Sequence, residues 1–261
     1  MNNATATNVF DMTGQTVLIT GASGFLGSAM SSAVAEAGAT VVVGSREQAK
    51  AAQTAQALPG GPHYGVALDQ LHESSIDEGF AAAVAAAGKI DVLINNGQQG
   101  HPLDLTNVTG EAFSKDLQNA TGYFLLARKL RDHVVSRKAA GSIVMLGSMY
   151  GVVGSYPDAY EDICAASPVQ YHTLKGGIIQ MTRHLAVYWA KDNVRVNCLS
   201  PGPFPSQKAP AEMVERLIRK SPMGRMGTPD ELKGPVLLLA SHAGSYITGQ
   251  NLLVDGGWTA W

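Results

Sequence analysis

Seven short runs of β-branched and aliphatic residues recur along the 261-residue chain, and stretches long enough for a helix separate most of them. The runs occupy residues 16–20, 40–43, 64–67, 92–95, 143–146, 194–199 and 252–254. Most of them are unbroken rather than alternating, which is typical of strands that helices cover on both faces. The sequence therefore predicts a parallel seven-stranded sheet.

Segments of helical periodicity or helix-favouring composition lie between these runs, at residues 28–37, 47–57, 74–87, 111–136 and 169–191. Such alternation predicts βαβ units with right-handed crossovers. We therefore predict an α/β fold with a single-domain, Rossmann-like, doubly wound parallel sheet and helices on both of its faces. The domain is predicted to span residues 13–261 and to follow an N-terminal tail at residues 1–12.

The charge balance argues against nucleic-acid binding, because 19 Lys and Arg stand against 21 Asp and Glu. The most apolar helix-like stretch, residues 80–87, is much shorter than the roughly 20 residues that a membrane crossing needs. The N-terminus is polar, without a signal-peptide pattern, and Cys164 and Cys198 are the only cysteines. We expect a cytoplasmic protein with neither a nucleic-acid nor a membrane partner.

Two other chemistries find no support in the sequence. The seven histidines show no metal-ligand spacing, so we expect no metal site. No Gly-x-Ser-x-Gly elbow is present for a hydrolase. His172 and His184 are interpreted as residues on a helix surface rather than as catalysts.

A glycine-rich turn, TGASGFLG at residues 20–27, lies directly between the first predicted strand and the first predicted helix. Backbone N–H groups in this position bind the pyrophosphate of a dinucleotide at the helix N-terminus. A tight turn without a ligand is the alternative. The predicted cofactor contacts in this turn are Gly21, Ser23, Gly24, Phe25, Leu26 and Gly27.

The end of the second predicted strand, at Ser45 and Arg46, lacks the acidic residue that would bind the ribose 2′-hydroxyl of NAD. An arginine there can pair with a 2′-phosphate, so NADP(H) is favoured and NAD(H) is the alternative. Arg46 could instead be a solvated residue at the start of the next helix. Leu68 and Asp69 follow the third strand, and Asp69 either accepts a hydrogen bond from the adenine amino group or caps the next helix.

Tyr171 and Lys175 are four positions apart in a predicted helix, which puts the phenol and the ammonium on one face, a turn apart. Hydride transfer needs a partner that exchanges the hydroxyl proton, and a free tyrosine, with a pKa of about 10, is mostly protonated at neutral pH. A neighbouring lysine and an oxidised nicotinamide ring both favour the phenolate. We therefore expect a lowered pKa for Tyr171.

Further motifs stand after the predicted strands: Asn95-Asn96-Gly97 after the fourth, Ser148 after the fifth and Pro201-Gly202 after the sixth. Together with the glycine turn and the Tyr171–Lys175 pair, they resemble the short-chain dehydrogenase/reductase family from about residue 13 to residue 261. The resemblance implies an NAD(P)-dependent enzyme that interconverts a carbonyl and a secondary alcohol. It also implies a homo-oligomer, a tetramer or dimer, in which the C-terminal segment often lies at an interface.

The resemblance implies a role for each matching residue. Ser148 positions the substrate oxygen, Tyr171 is the general acid/base, and Lys175 binds the nicotinamide ribose and tunes the tyrosine. Asn119 is similar to the family residue that holds a water in the proton relay, with a buried polar residue bonded to backbone as the alternative. Cofactor contacts are further implied for Asn96, Gly97, Tyr171, Lys175, Pro201, Gly202 and Phe204.

The sequence departs from the family pattern in three places. Gly97-Gln98 replaces the usual Ala-Gly after the asparagine pair, and the glycine spacing of the turn is similar to the extended branch of the family. Ser148 and Tyr171 are 23 positions apart, which is more than is usual in the standard branch. The extra stretch, residues 154–168, is predicted to be a substrate lid or the cover of a subunit interface. A surface insertion of no consequence is the alternative.

The polar residues of this extra stretch and the Pro-rich segment after the sixth strand suggest a hydroxylated substrate. A sugar, a sugar acid or a polyol is the predicted class. A ketoacyl thioester or a nucleotide-linked sugar of glycan biosynthesis is the alternative substrate. A dinucleotide-binding redox sensor without turnover is the alternative of another class, and the complete Ser148, Tyr171 and Lys175 set argues against it.

Overall fold

The computed structural model describes residues 8–261, in which seven strands alternate with seven α-helices. The strands are β1 (Thr16–Thr20), β2 (Thr40–Ser45), β3 (Tyr64–Ala67), β4 (Val92–Asn95), β5 (Gly141–Leu146), β6 (Val194–Pro201) and β7 (Asn251–Val254). The helices are α1 (Gly27–Glu36), α2 (Gln48–Gln56), α3 (Glu73–Ala87), α4 (Gly110–Ser136), α5 (Val169–Trp189), α6 (Ala211–Ile218) and α7 (Lys233–Ala240).

All neighbouring strands pair in parallel, in the order β3-β2-β1-β4-β5-β6-β7. This confirms the predicted doubly wound, seven-stranded sheet. The chain moves outward from β1 through β2 and β3, and then outward in the other direction from β4. The carboxyl ends of β1 and β4 therefore flank a crevice, which is where ligands bind in open α/β sheets.

Helices cover the sheet on both faces and leave two apolar layers. One layer packs α3, α4 and α5 against the sheet, and the other packs α1, α2 and α7 against its opposite face. Along β1, Leu18 belongs to the first layer, whereas Val17 and Ile19 belong to the second. Because both faces are dry, the strand is apolar throughout, as the unbroken pattern predicts.

The predicted bounds of the first five helices agree with the structure to within two residues, but α6 and α7 were not predicted. Helix α6 follows a Pro-rich stretch, at residues 201–210, that reads as loop. Helix α7 begins with Lys233, Gly234 and Pro235, a glycine and a proline that oppose helix formation in isolation. The proline is tolerated because a first-turn residue has no intrahelical partner for its N–H.

The predicted N-terminal tail, residues 1–12, falls partly on residues 1–7, which lie outside the described residues. At its other end, Met12 is fully buried, and its N–H donates to the Ala37 carbonyl oxygen at 2.8 Å. The packed part of the chain therefore begins before the predicted boundary at residue 13.

A third and smaller apolar cluster lies apart from the two main layers. Its fully packed members are Met149, Ala159, Leu217 and Trp258. Ala159 belongs to the extra stretch at residues 154–168, named here the insertion segment. The insertion segment is therefore packed against the body of the protein through its own core residue.

Candidate active site

A groove of about 380 Å³ follows the carboxyl ends of β1, β2, β3 and β4. Its lining includes every cofactor contact predicted from the glycine turn and from the ends of β2, β3 and β4: Gly21, Ser23, Gly24, Phe25, Leu26, Gly27, Ser45, Arg46, Leu68, Asp69, Asn96 and Gly97. The lining also includes residues that were not predicted: Thr20, Gly44, Lys50, Gln70, Gln98 and Gln99. The topology thus brings separate sequence motifs to one site.

The glycine turn depends on backbone atoms approaching more closely than a side chain allows. Gly21 has φ +65°, and a Cβ there would lie 2.8 Å from Asn96 Nδ2 and 2.9 Å from Gly97 Cα. A Cβ at Gly27 would collide with the Gly21 carbonyl oxygen. These glycines keep the turn narrow at the N-terminus of α1, so that the N–H groups around it can face an anion.

Asparagine side chains brace the crevice between β1 and β4. Asn96 Nδ2 donates to the carbonyl oxygens of Thr20, at 3.1 Å, and Gly21, at 2.9 Å. Asn95 is fully buried, and its Nδ2 donates to the Tyr123 carbonyl oxygen of α4 at 3.0 Å. Asn95 therefore connects the end of β4 to α4.

Two cations lie at the β2 end of the groove. Arg46 follows β2, Lys50 lies in the first turn of α2, and both are exposed. Within residues 8–261, neither side chain forms an ion pair with a carboxylate. Lys50 was not predicted from the sequence, because no motif around it marks it as a cofactor contact. Together with the glycine turn, the two cations make this end of the groove positively charged.

Asp69 stands at the rim of the groove but does not cap α3. Its carboxylate accepts the Leu71 N–H at 3.0 Å, and its own N–H donates to Ser75 Oγ at 2.9 Å. The N-cap residue of α3 is His72. The capping interpretation of Asp69 is therefore wrong, and its predicted contact with adenine stays a prediction.

The predicted catalytic residues converge near the end of β5. Ser148 follows β5 by two residues, and Tyr171 and Lys175 lie on one face of α5. The Ser148 hydroxyl lies beside the Tyr171 phenol. Lys175 Nζ lies 5.6 Å from the centroid of the Tyr171 ring. The structure thus brings together the three groups that the sequence placed at the chemical centre.

The pKa of Tyr171 is raised above its ordinary value of 10 rather than lowered. Burial of the phenol is the main cause, and the neighbouring Ser148 hydroxyl only partly opposes it. The expected lowering by Lys175 is therefore not found. A protonated Tyr171 is a proton donor, the form that reduction of a carbonyl requires.

Lys175 is held at the end of β5. Its ammonium is buried and donates to the Leu146 carbonyl oxygen at 2.7 Å, so its position is fixed by the end of β5. Burial lowers the pKa of Lys175 from 10.5 to about 8. The lysine nevertheless remains mostly protonated at neutral pH.

Comparisons with known proteins agree with this geometry. A family model described as enoyl-(acyl carrier protein) reductase matches residues 21–259. The chain is 32% identical to galactitol 2-dehydrogenase (L-tagatose-forming) of Cereibacter sphaeroides, over 97% of this chain and 98% of that one. It is 34% identical to D-arabinitol 2-dehydrogenase (ribulose-forming) of Scheffersomyces stipitis, over 97% of this chain and 96% of that one.

A solved gluconate 5-dehydrogenase from Burkholderia cenocepacia, in complex with NADP and tartrate, matches the fold with a TM-score of 0.88 at 27% identity. The match covers 98% of this chain and all of that one. The chain belongs to the short-chain dehydrogenase/reductase family. It is an NAD(P)-dependent oxidoreductase that interconverts a carbonyl and a secondary alcohol.

Gln70 accounts for one departure from the family pattern. Its Nε2 donates to the Gly97 carbonyl oxygen at 2.6 Å and to Asn119 Oδ1 at 2.9 Å. A Cβ on residue 97 would lie 2.6 Å from Gln70 Oε1, so the alanine usual in the family would meet this side chain. Gly97 is therefore the partner of a glutamine 27 positions earlier, a relation that no spacing rule reveals.

The Asn119 side chain is fully engaged in a buried network. It donates to the carbonyl oxygens of Gln99, at 2.7 Å, and Asp116, at 2.8 Å, and it accepts from the Gln99 N–H at 3.0 Å. The interpretation as a buried polar residue bonded to backbone is therefore correct for the side chain. A proton-relay water held by Asn119, as in the dehydrogenase family, stays a prediction.

The segment after β6 does not reach the groove in the way that the family resemblance implies. Pro201, Gly202 and Phe204 are absent from the groove lining, and Phe204 instead lines a second cavity of about 310 Å³ with Met223. A Cβ on Gly202 would collide with Asp255 Cα, so this glycine serves the close approach of the chain after β7. Nicotinamide contacts by these three residues stay a prediction.

His172 is not the helix-surface residue that was predicted. It is half-buried, its ring stacks on Tyr150 with centroids 4.5 Å apart, and its Nε2 lies 3.0 Å from Ser167 Oγ. His184, by contrast, is exposed on α5. His172, the residue after Tyr171, therefore contacts both the segment that follows Ser148 and the insertion segment of this dehydrogenase.

Three further observations concern the described part of the dehydrogenase. None of its helices has the length and apolar character to cross a membrane. No three His, Cys, Asp or Glu side chains within residues 8–261 are grouped as ligands for a metal ion. Both cysteines are free thiols, with Cys164 exposed and Cys198 buried.

Proposed function

We propose that this enzyme interconverts the ketone and secondary-alcohol forms of a sugar, sugar acid or polyol, with NADP(H) as the preferred cofactor. The proposal rests on one observation above all. Ser148 at the end of β5, and the Tyr171 phenol and Lys175 ammonium on one face of α5, lie together at the same sheet edge as the glycine turn, with Lys175 Nζ 5.6 Å from the centroid of the Tyr171 ring. A substrate oxygen bound between the Ser148 and Tyr171 hydroxyls would meet two O–H donors.

Ser148, Tyr171 and Lys175 each have a separate role in the proposed reaction. When bound, the nicotinamide supplies or accepts the hydride. On reduction, the Ser148 hydroxyl holds the carbonyl oxygen while Tyr171 gives its proton to that oxygen, and on oxidation Tyr171 takes the proton back. The buried Lys175 ammonium, fixed by Leu146, favours the phenolate that remains after transfer, and it would hold the nicotinamide ribose of a bound cofactor.

The substrate class follows from the relatives and from the insertion segment. Galactitol, D-arabinitol and gluconate dehydrogenases are among the proteins that this chain resembles over nearly its full length. Tyr160 of the insertion segment hydrogen-bonds the phenol of Tyr150, whose N–H donates to Ser148 Oγ. A polyhydroxylated substrate suits such a surface better than an acyl chain does, because each phenol needs a hydrogen-bonding partner.

Replacing the phenol by a phenyl ring tests the catalytic assignment. In Tyr171→Phe we expect kcat to fall by about 10²–10⁴, the range of general acid–base catalysis. The measurement is nicotinamide absorbance with a panel of polyols, sugars, sugar acids and ketoacyl esters. Tyr246→Phe, at a fully exposed tyrosine, is the matched control and keeps the wild-type rate. Full turnover by Tyr171→Phe would remove the phenol from the mechanism.

The cofactor preference is supported by Arg46 and Lys50, and a fluorescence titration with NADPH and NADH tests it. We expect tighter binding of NADPH. Arg46→Ala weakens NADPH by about tenfold, because a charge-assisted hydrogen bond is lost, and leaves NADH nearly unchanged. Lys191→Ala, beyond α5 at the opposite edge of the sheet, is the control. Tighter binding of NADH by the wild type contradicts the preference.

We also propose a cytoplasmic homo-oligomer. Val187 and Tyr188 are exposed apolar residues on α5, and β7 is a sheet-edge strand with only β6 beside it. Such features are typical of surfaces that a second copy covers. Light scattering after size exclusion gives the mass, and a monomer would contradict the assembly. Cell fractionation of the tagged protein tests the location.

A further inference from the structure

The insertion segment is fixed in place from its outer side. The Tyr156 ring packs edge-on against Trp258, with centroids 5.4 Å apart, and Lys220 Nζ lies 4.9 Å above the same ring. Lys220 also pairs with Asp158 at 2.6 Å, and Arg216 Nη1 donates to the Asp158 carbonyl oxygen at 3.0 Å. Residues of α6 and of the C-terminus therefore set the position of this segment.

The inner side of the insertion segment meets the segment that follows Ser148 through two phenols, named here the phenol pair. The hydroxyl oxygens of Tyr150 and Tyr160 lie 2.7 Å apart. The Tyr150 N–H donates to Ser148 Oγ at 3.1 Å, and the Tyr150 ring stacks on His172, the neighbour of Tyr171. The phenol pair is therefore connected to Ser148 through the Tyr150 backbone and to the neighbour of Tyr171 through ring stacking.

The hydrogen bonding of the phenol pair is incomplete. Among the residues that the structure describes, each phenol oxygen has the other as its one hydrogen-bond partner. Burial raises the pKa of both Tyr150 and Tyr160, so both carry their protons at neutral pH. One proton lies between the two oxygens, which leaves the second proton to donate and lone pairs to accept.

An alcohol hydroxyl has the same capacity, since it donates one hydrogen bond and accepts others. We propose that the Tyr150–Tyr160 phenol pair is a subsite for a substrate hydroxyl close to the reacting carbon, and that it selects polyhydroxylated substrates over simple secondary alcohols. This inference rests on the proposed function and names the residues that give it its substrate class. A substrate without that hydroxyl leaves the pair desolvated and unsatisfied, which weakens its binding.

Removing one hydroxyl from the pair tests the subsite. The comparison is the ratio of kcat/KM for galactitol to kcat/KM for cyclohexanol, which has no second hydroxyl. In Tyr160→Phe and in Tyr150→Phe we expect this ratio to fall by about tenfold, mostly through a higher KM for galactitol. The phenylalanine ring keeps the apolar packing, and near-UV circular dichroism checks that each variant is folded.

Tyr156→Phe is the matched control, because Tyr156 lies on the same insertion segment but its ring packs against Trp258 instead of a second phenol. We expect it to keep the wild-type ratio. An unchanged ratio in both Tyr160→Phe and Tyr150→Phe overturns the subsite while galactitol turnover upholds the proposed function. A wild-type enzyme that reduces ketoacyl esters and acts on no sugar, sugar acid or polyol overturns the proposed function itself, and the subsite with it.

Discussion

Around the cofactor groove the decisive contacts are made by main-chain atoms and amides, whereas around the insertion segment they are made by rings and charged side chains. In the groove, Asn96 bonds the carbonyl oxygens of the glycine turn, and Gly21 brings backbone against backbone. On the substrate side, Tyr156 meets Trp258 and Lys220, and Tyr150 meets His172.

This difference between the groove and the insertion segment distinguishes contacts that the strand order fixes from contacts that can vary in sequence. Main-chain geometry at the β1–β4 crevice follows from the strand order and demands particular residues, chiefly glycine and asparagine. Ring packing demands only complementary shape, so many residue combinations can satisfy it. The two sides should therefore respond separately to mutation, with cofactor affinity following one and substrate affinity the other.

Trp258→Ala gives the largest expected effect. Trp258 is 2% exposed and packs against Tyr156, so its truncation should lower the free energy of unfolding by about 3–5 kcal/mol. If the two sides respond separately, KM for the substrate rises while the dissociation constant of the cofactor stays near its wild-type value. Denaturant unfolding and fluorescence titration measure the two quantities.

Trp261→Ala is the control, since that tryptophan is 73% exposed and its loss should change stability by less than about 0.5 kcal/mol. Equal losses of cofactor and substrate affinity in Trp258→Ala would show that the two sides act as one unit. The expected separate response of the groove and the insertion segment would then be wrong.

Lys175 belongs to both sides, and its buried charge should appear as a pH dependence of stability. Between pH 8 and the ordinary lysine pKa of 10.5, the folded chain binds fewer protons at this site than the unfolded chain does. The free energy of unfolding should therefore rise with pH, by about 2 kcal/mol between about pH 8 and about pH 10 relative to Lys175→Met. Denaturant midpoints at a series of pH values measure this difference.

The raised pKa of Tyr171 acts in the opposite direction, but only above its unfolded value of about 10, because the folded phenol keeps its proton there. The measurement therefore ends at about pH 10. Parallel curves for the wild type and Lys175→Met would mean that the ammonium at the end of β5 is solvated.

Gly97→Ala is expected to have the smallest effect of the three, about 1 kcal/mol of lost stability together with weaker cofactor binding, because its Cβ meets Gln70 Oε1. In a Gln70→Ala background the added methyl should cost much less, which a double-mutant cycle measures as a coupling energy. Gly234→Ala is the control, since a Cβ there has open space. Additive losses would remove Gln70 as the reason for this glycine.

The sheet and the cofactor groove could be predicted because their signals are local. Each strand is an apolar run, the turn at residues 20–27 follows a strand, and Asn95 and Asn96 follow another. Parallel strands place their carboxyl ends at one edge, so these separate motifs had to meet. Ser148, Tyr171 and Lys175 were found for the same reason, through a strand end and a helical spacing.

What the sequence did not reveal depends on contacts between distant residues. Gln70 carries no motif, and its importance appears only once its amide is seen between Gly97 and Asn119. His172 has helix-surface spacing, but the insertion segment covers it. The pKa of Tyr171 was expected to fall, but burial of the phenol outweighs the neighbouring groups and raises it. That burial is a property of the fold, which the sequence pattern does not show.

Ser148 and Tyr171 are 23 positions apart in the sequence, but β5 fixes the position of one and α5 fixes the position of the other, so they stay close in space. Closing a loop of twice the length costs only about 0.6 kcal/mol more, so a scaffold of this kind accepts longer or shorter connections there with little loss. The insertion segment within this connection can therefore be exchanged. Exchanging it for that of a relative is a route to a new substrate range with an unaltered proton-transfer apparatus.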